Sequence, residues 1–356
     1  MKAAPAPKSR LADPLVTVDP LQIPNWDSLL ARHPRAGPFH TAGWAKVLHE
    51  TYGYFPQYLV VKRDQQLDSV VPLMEVKSWL TGTRGIALPY TDSCEPLGCD
   101  PVLKDKIFSH LIDLGEKRHW KYLEGRWEKS GLAEAPAWNE FFIHDLHLDA
   151  DHEGLFSRFD SATRRSITGA KKRGVTVTID QTLAGMKSFY RLHSRTRQRH
   201  GLPPQPFNFF RKIQQHLIAR NLGMVILAKV EKTVVAAAVF LHFGTRAIYK
   251  FGASDLRFQN FRGNNAVMWE AIQWYCRNGF QSFDFGRSSV TNEGLRRFKL
   301  GWATNERKIQ YVRYNFQQRQ FVSGQDQAFG WHNRVFNNLP LPVSRMIGST
   351  LYRHLA

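Results

Sequence analysis

Two tandem modules of one α/β (α+β) type are what this sequence predicts, on three observations. The chain has 356 residues, more than one ordinary core accommodates, and so suits two domains that each bury their own apolar surface. A succession of hairpin, helix and strand read in the first half recurs in the second. The halves also echo each other in letters. Ile112 and Ile272 stand 160 residues apart within the paired helices, and Gly125-Arg126 and Gly286-Arg287 stand 161 apart at the ends of the paired strands. One inserted residue reconciles the two offsets, and a solenoid would need more copies.

Residues 1–14 are rich in Ala, Pro and Lys and read as a disordered tail. The first module is expected over 15–150. It opens with a strand, Leu15 to Val18, and a helix near Pro24-Asn25 whose Trp26, Leu29 and Leu30 have helical spacing. A second helix covers Thr41 to Thr51. Strands Tyr58 to Lys62 and Leu67 to Val76, joined by the polar turn Arg63 to Gln66, make a hairpin. Helix Leu103 to Arg118 aligns Ile107, Leu111 and Leu114, and strands Tyr122 to Arg126 and Glu140 to Leu148 follow.

The second module is expected over 151–320. Its junction segment, Asp160 to Arg173, carries five cations against one anion and reads as a helix with a solvated basic face. Binding of phosphate or an acidic substrate across the junction is the alternative. Met224 to Val230 and Val234 to Phe243 form a hairpin around Glu231-Lys232-Thr233, and Arg246 to Gly252 is a further strand. Helix Asn264 to Asn278 buries Met268, Ala271, Ile272, Tyr275 and Cys276, with Gly279 as its C-cap. The apolar strand beginning at Phe283 then runs into a loop and a brief helical turn. Residues 321–356 form a helical extension, in which Val343, Ile347 and Leu351 have the spacing of a packing helix; a membrane-surface helix is the other reading.

Composition narrows the function classes. Apolar residues make up 43% and aromatics 13%, which excludes a disordered chain. A formal charge of +19 favours polyanionic partners such as phosphates, coenzyme pyrophosphate, nucleic acid or an anionic membrane surface, with a basic surface kept for solubility as the plain alternative. Cys94, Cys99 and Cys276 show neither CxxC nor zinc-ligand spacing, so no metal and no disulfide framework is expected. The N-terminal letters lack the apolar core of a signal peptide, and no run of about 18 apolar residues occurs. A cytoplasmic location is therefore expected, peripheral at the inner face of the membrane if the chain meets it.

No GxSxG, HExxH, Walker loop or GxGxxG is present, which argues against covalent hydrolases, zincins and nucleotide triphosphatases. None of His40, His193 and His200 has a triad-like context. Direct acyl transfer is compatible, because it needs only positioning, a proton acceptor and an oxyanion donor. The stretch 283–303 gathers Arg287, Arg296, Arg297 and Lys299 just past a strand end, where ligands of open sheets bind. Asp284 is either a structural acceptor for loop amides or a general base. Tyr249 and Lys250 alternate along their strand, so one of them can face a cleft; Tyr249 is read as catalytic or as a core aromatic. Arg262, Gly263, Asn264 and Asn265 open a helix whose free N–H groups and dipole favour an anion.

GPFHTAGWAKVL, TRRSITGAKKRGV, AIYKFGAS, MWEAIQWYCRNG and FDFGRS followed by GLRRFKLGW carry a resemblance to the FemAB superfamily of paired GNAT (acyl-CoA N-acyltransferase) domains. It spans about residues 23 to 316. The resemblance implies that each module is a mixed, mainly antiparallel twisted sheet flanked by helices. It also implies an N-acyltransferase acting on an amine of a cell-envelope saccharide or peptidoglycan-type precursor. Phe298-Lys299 matches the late FK motif that aligns the acyl carbonyl in peptidoglycan bridge enzymes. Lys299 then polarises the carbonyl, and Phe298, Arg287 and Arg296 contact substrate. Arg262 and the 263–265 amides hold donor phosphates. The sequence after the lysine, Leu300-Gly301-Trp302, is not glycine-rich and no coiled-coil insertion separates the halves, which favours acyl-CoA as a loosely held co-substrate over aminoacyl-tRNA. DNA is not an expected partner. The competing function is a non-catalytic, polyanion-binding or membrane-surface protein of envelope assembly on the same scaffold.

Overall fold

The computed structural model describes residues 15–63, 66–126, 135–324 and 339–355. The expected 1–14 tail, the tip of the first hairpin turn and residues 325–338 lie outside these. Strand β1 (Leu15–Val18), helices α1 (Trp26–Leu30) and α2 (Ala42–Tyr52), and strands β2 (Phe55–Pro56), β3 (Tyr58–Arg63), β4 (Gln66–Val71), β5 (Met74–Val76) and β6 (Arg84–Ile86) open the chain. Helix α3 (Pro101–Lys117) and strands β7 (Tyr122–Gly125) and β8 (Asn139–His147) complete the first half.

The second half begins with α4 (His152–Arg158), α5 (Ser161–Lys172), β9 (Val175–Asp180), α6 (Leu183–Arg199) and α7 (Phe207–His216). Strands β10 (Gly223–Val230), β11 (Thr233–Phe243) and β12 (Arg246–Ser254), helix α8 (Gly263–Arg277) and strand β13 (Ser282–Ser289) follow. Then come α9 (Glu293–Leu300), β14 (Asn305–Asn315), β15 (Gln320–Phe321) and α10 (Leu341–Leu351).

Local chemistry sets the helix starts. Thr41, Asp100, Asp160, Thr182 and Asn292 each accept a bond from a first-turn N–H of α2, α3, α5, α6 and α9, the standard satisfaction of orphan donors. In α5 Thr163, Ile167 and Ala170 are buried while Arg165, Lys171 and Lys172 are exposed, the solvated basic face expected from its letters. The second arm of the first hairpin differs from the reading. Pro72 lacks the N–H a ladder needs, and the arm breaks there into β4, in a three-stranded sheet with β1 and β3, and β5, in the large sheet.

The large mixed sheet runs β2-β5-β6-β7-β14-β8-β13-β12-β11-β10-β9, mainly antiparallel. The repeated unit is visible in it. Helix α3 joins the parallel pair β6 and β7, and α8 is the second-half helix that leads from β12 into its parallel neighbour β13. The final strands of the two halves are exchanged: β8 lies against β13, and β14 pairs with β8 over 305–311 and with β7 over 312–315.

Beside clusters that belong largely to one half each, the two halves share one apolar cluster. One face of the sheet buries Trp44, Tyr58 and Val70 of the first half together with Phe189, Phe209, Phe210 and Val239 of the second. The other face seats α5 and α8 on Met224, Ile226, Ala236 and Phe240. Strands β10 and β11 alternate between the two clusters, as a period of two requires. After α10, Tyr352 and His354 bind back to the first half: Tyr54 donates to the Tyr352 carbonyl at 3.1 Å and Arg84 to the His354 carbonyl at 2.7 Å.

Glu124 of β7 is buried between Arg126 at 2.8 Å and Arg313 of β14 at 2.5 Å. Removing the carboxylate leaves two partly buried cations unpaired across the exchanged strands. Glu124→Ala is expected to cost about 3–5 kcal/mol in urea unfolding; a loss below about 1 kcal/mol would refute this account.

Candidate active site

Strands β12 and β13 run together only from Arg246↔Ser282 to Ile248↔Asp284. Beyond that β12 stays with β11 to Ser254, while β13 bulges between Asp284 and Arg287 and continues along β8. The bulge is made by Gly286, whose φ of 71° is the left-handed region that favours glycine. The two parallel strands therefore part at their carboxyl ends, where ligands of α/β sheets bind. The strand is longer than the sequence reading had it, and the loop after it correspondingly shorter.

Charged side chains from both halves meet at this fork. Asp92, in the first-half segment after β6, receives Lys250 Nζ at 2.9 Å and has Arg287 Nε at 3.8 Å. Burial opposes its charge, yet Lys250 and Arg287 outweigh that and hold its carboxyl below the usual range. Burial pushes Lys250 down, with Asp92 opposing. Lys299, only 2% exposed on the inner side of α9, donates to the carbonyls of Gly286 at 2.6 Å and Arg287 at 3.0 Å. Burial lowers its ammonium to about 8 despite the carboxylates Asp92 and Asp284.

Asp284 accepts the Gly286 N–H at 2.6 Å. Burial, then the charges of Asp145 and Asp92, push its carboxyl up to about 7, against the pull of that N–H and of Lys299. A carboxyl and an ammonium tuned toward each other near neutrality are a pattern of proton-transfer sites.

Arg287 spreads its guanidinium 4.2 Å over the Phe141 ring and donates to the Tyr311 hydroxyl at 2.8 Å. Tyr311 in turn donates to the Asp92 carbonyl at 2.6 Å. Arg126, the first-half counterpart of Arg287, lies over the same Tyr311 ring at 5.4 Å.

The other expected residues fall in distinct places. Arg296 is clamped by Glu306 at 2.6 and 2.7 Å and stacks on Phe142; Glu306 also meets His144 at 2.9 Å. Phe298 packs on Trp302 with ring centroids 6.0 Å apart. Tyr249 lies on Phe240, in the cluster under α8, and burial pushes its hydroxyl up to about 12. Of the Tyr249-Lys250 pair it is thus the lysine that joins the fork. At the start of α8, Arg262 adopts a left-handed φ of 60° and no side chain caps the helix. Gly263 backs onto β11, where an added Cβ would lie 3.0 Å from Ala236. Asn264 donates to Ser254, the last residue of β12, at 3.2 Å, and Asn265 is half-buried behind it.

The sequence reading missed Asp92 and Tyr311. Asp92 has no local signature, since its partners are 158 residues or more away. A signal did exist in β12: a lysine in an apolar strand needs a buried carboxylate.

Residues 157–303, in the second half, match the model of the acetyltransferase (GNAT) domain family. The chain is 23% identical over 159 residues to the UDP-N-acetylmuramoylpentapeptide-lysine N(6)-alanyltransferase of Weissella viridescens, an alignment covering 44% of this chain and 47% of that protein. It thus spans about half the length of that relative. Among solved structures, FemX superposes with a TM-score of 0.66 at 16% identity, covering 83% of this chain and 97% of FemX. A tandem GNAT protein of clavulanic acid biosynthesis gives 0.50 at 10% identity, covering 85% of this chain and 98% of its own. The fold is therefore the tandem GNAT fold, and the family resemblance read from the sequence stands.

Because the folded Asp284 titrates near 7 and the unfolded carboxyl near ~3.9, the folded state holds a proton that the unfolded chain has lost between these values. Stability from this group is present below about pH 4 and is lost as pH rises toward about 7. Lys299 acts oppositely, with stability returning above about pH 8. Between about pH 5 and about pH 8 wild type should lose more unfolding free energy in urea than Asp284→Asn; equal losses would disprove the assignment.

Proposed function

We propose that this protein is an N-acyltransferase that moves an aminoacyl or acyl group onto an amine of a cell-envelope saccharide or peptidoglycan-type precursor. The observation that carries the reading is the Asp284 and Lys299 pair at the fork of a GNAT domain. An amine nucleophile arrives protonated, with an ordinary value near ~10.4, and must lose its proton to react. Asp284, tuned to about 7, accepts it. The nitrogen then bonds to the acyl carbon and sheds its second proton as the ester or thioester bond breaks; one of the two protons goes to the leaving oxygen or sulfur and the other is released to solvent.

Lys299 supports the developing oxyanion. An ammonium has three N–H donors and two are engaged by the Gly286 and Arg287 carbonyls, so the third serves the reaction while the first two fix its place. Phe298 precedes Lys299 in α9 and packs on Trp302. The open edge of Arg287 suits a phosphate or carboxylate of the acceptor, with Arg296 adding charge. Arg262, Gly263, Asn264 and Asn265 suit donor phosphates at the uncapped start of α8. Tyr249 enters only through its backbone, which borders the fork.

The named relative transfers an alanyl group to the lysine of a UDP-linked muramoyl pentapeptide. That favours an aminoacyl donor and a muropeptide amine for this chain, and lends nothing to the preference for acyl-CoA. The donor question is decided by offering labelled alanyl-tRNA and acetyl-CoA side by side with UDP-linked muropeptide. Transfer from neither, together with salt-sensitive binding to RNA of any sequence, would favour the non-catalytic reading.

Lys299→Met should lower turnover about a hundredfold or more, the scale of one lost oxyanion donor. It should also lower the melting temperature by several degrees, because two carbonyls lose their donor. Wild-type turnover in this variant would sink the assignment of Lys299.

A further inference from the structure

Half of the large apolar side chains that stand exposed among the described residues belong to α10, the residues just past it and the turn packed against His354. In the turn between β5 and β6, Trp79 is 87% and Leu80 54% exposed; Met346 of α10 is 65% exposed and Leu355, just past its end, 55%. Val343, one turn before Met346, is exposed as well. Soluble surfaces scatter such residues singly, and a group of them marks an interaction site.

The turn is held in shape rather than left loose. Ser78 Oγ bonds His354 Nδ1 at 2.9 Å and accepts the N–H groups of Leu80 at 3.2 Å and Thr81 at 2.9 Å. The Trp79 ring stands edge-on to His354 with centroids 5.6 Å apart. The exposed indole is therefore presented by a fixed scaffold.

The charge within these two segments has one sign. Residues 77–84 and 341–355 contain no Asp or Glu, and besides the buried Arg84 they carry Lys77, Arg345 and Arg353. The nearest carboxylate in the sheet, Glu75, is 1% exposed and is matched by Lys77 at 3.3 Å and Arg118 at 3.6 Å. Met346 also borders a groove of about 630 Å³ that Tyr190 and Phe207 line and Lys187 and Arg345 flank.

We propose that Trp79-Leu80, Leu355 and the Val343-Met346 face of α10 form a wedge that seats the protein on an anionic phospholipid surface. Tryptophan and leucine enter the headgroup boundary while Lys77, Arg118, Arg345 and Arg353 meet lipid phosphates, the combination that peripheral anchors need. No helix among the described residues is long and apolar enough to cross a membrane, so the wedge lies on the surface. This inference stands apart from the acyl-transfer reading.

The test is flotation of the full chain with vesicles of neutral phosphatidylcholine and with vesicles containing about a third phosphatidylglycerol. Wild type should bind the anionic vesicles, release them as salt rises, and leave the neutral ones. Trp79→Ser with Leu80→Ser should weaken that binding about tenfold or more, and Met346→Ser should weaken it less. Both variants replace exposed side chains, and an unchanged melting curve confirms that they fold. Equal binding by the double variant, or equal binding to neutral vesicles, overturns the proposal. So does a wild-type dimer in sedimentation velocity that the double variant converts to monomer, which would reassign the patch to a second copy of this chain.

Discussion

Everything in this molecule depends on the pairing of β14 with strands of the other half. Its first seven residues complete the sheet beside β8 and its last four complete the sheet beside β7. An unpaired strand edge exposes a row of N–H and C=O groups, and β14 closes two such edges at once. The exchange brings the helices of both halves onto one apolar cluster, with Trp44 of α2 edge-on to Phe209 of α7. It also sets Tyr311 where the two halves meet, so that Arg126 and Arg287, equivalent by the internal repeat, face one ring.

The charge cluster at the fork follows from the same arrangement. Burying two lysines costs several kcal/mol each unless carboxylates offset the loss of water. Lys250 has its partner in Asp92, which the other half supplies, while Lys299 leans on backbone carbonyls and on the fields of Asp92 and Asp284. For Asp284 the Gly286 N–H and the charge of Lys299 are outweighed by burial and by Asp145 and Asp92, which are of its own sign, and so its carboxyl rises toward neutrality. The tuned pair is a product of both halves even though Asp284 and Lys299 belong to one.

Much of the architecture was legible in the letters. Hairpin, helix and strand recur with recognisable caps and stripes, and the Gly-Arg echo falls on β7 and β13. The shared core was not legible, since strand exchange leaves no periodicity of its own; it is decided by which edge each last strand finds. Of the site, Asp284, Arg287 and Lys299 lie close in sequence and could be read as a group. Asp92 could not, because electrostatic pairing across 158 residues has no local pattern. The alternation of Tyr249 and Lys250 left open which of them faces the cleft, and Lys250 meets it because a distant carboxylate, Asp92, offsets the cost of burying it. Helices α6 and α7, whose letters mix many cations with their aromatics, went unassigned for a related reason: their apolar stripes become clear only against β10 to β12.

The late arrival of β14 has a consequence for synthesis. A nascent chain that has emerged through residue 304 already holds β7 and β8, yet each lacks its neighbour, and the ribosome must deliver eleven more residues before either edge is covered. Domains commonly fold in the order they are made, but here the leading half cannot finish alone. Its two bare edges are an aggregation hazard during translation, and chaperone protection is needed longest in this window. The same delay withholds Tyr311, and with it the hydroxyl that links Arg287 to the Asp92 carbonyl, from any product ending before β14.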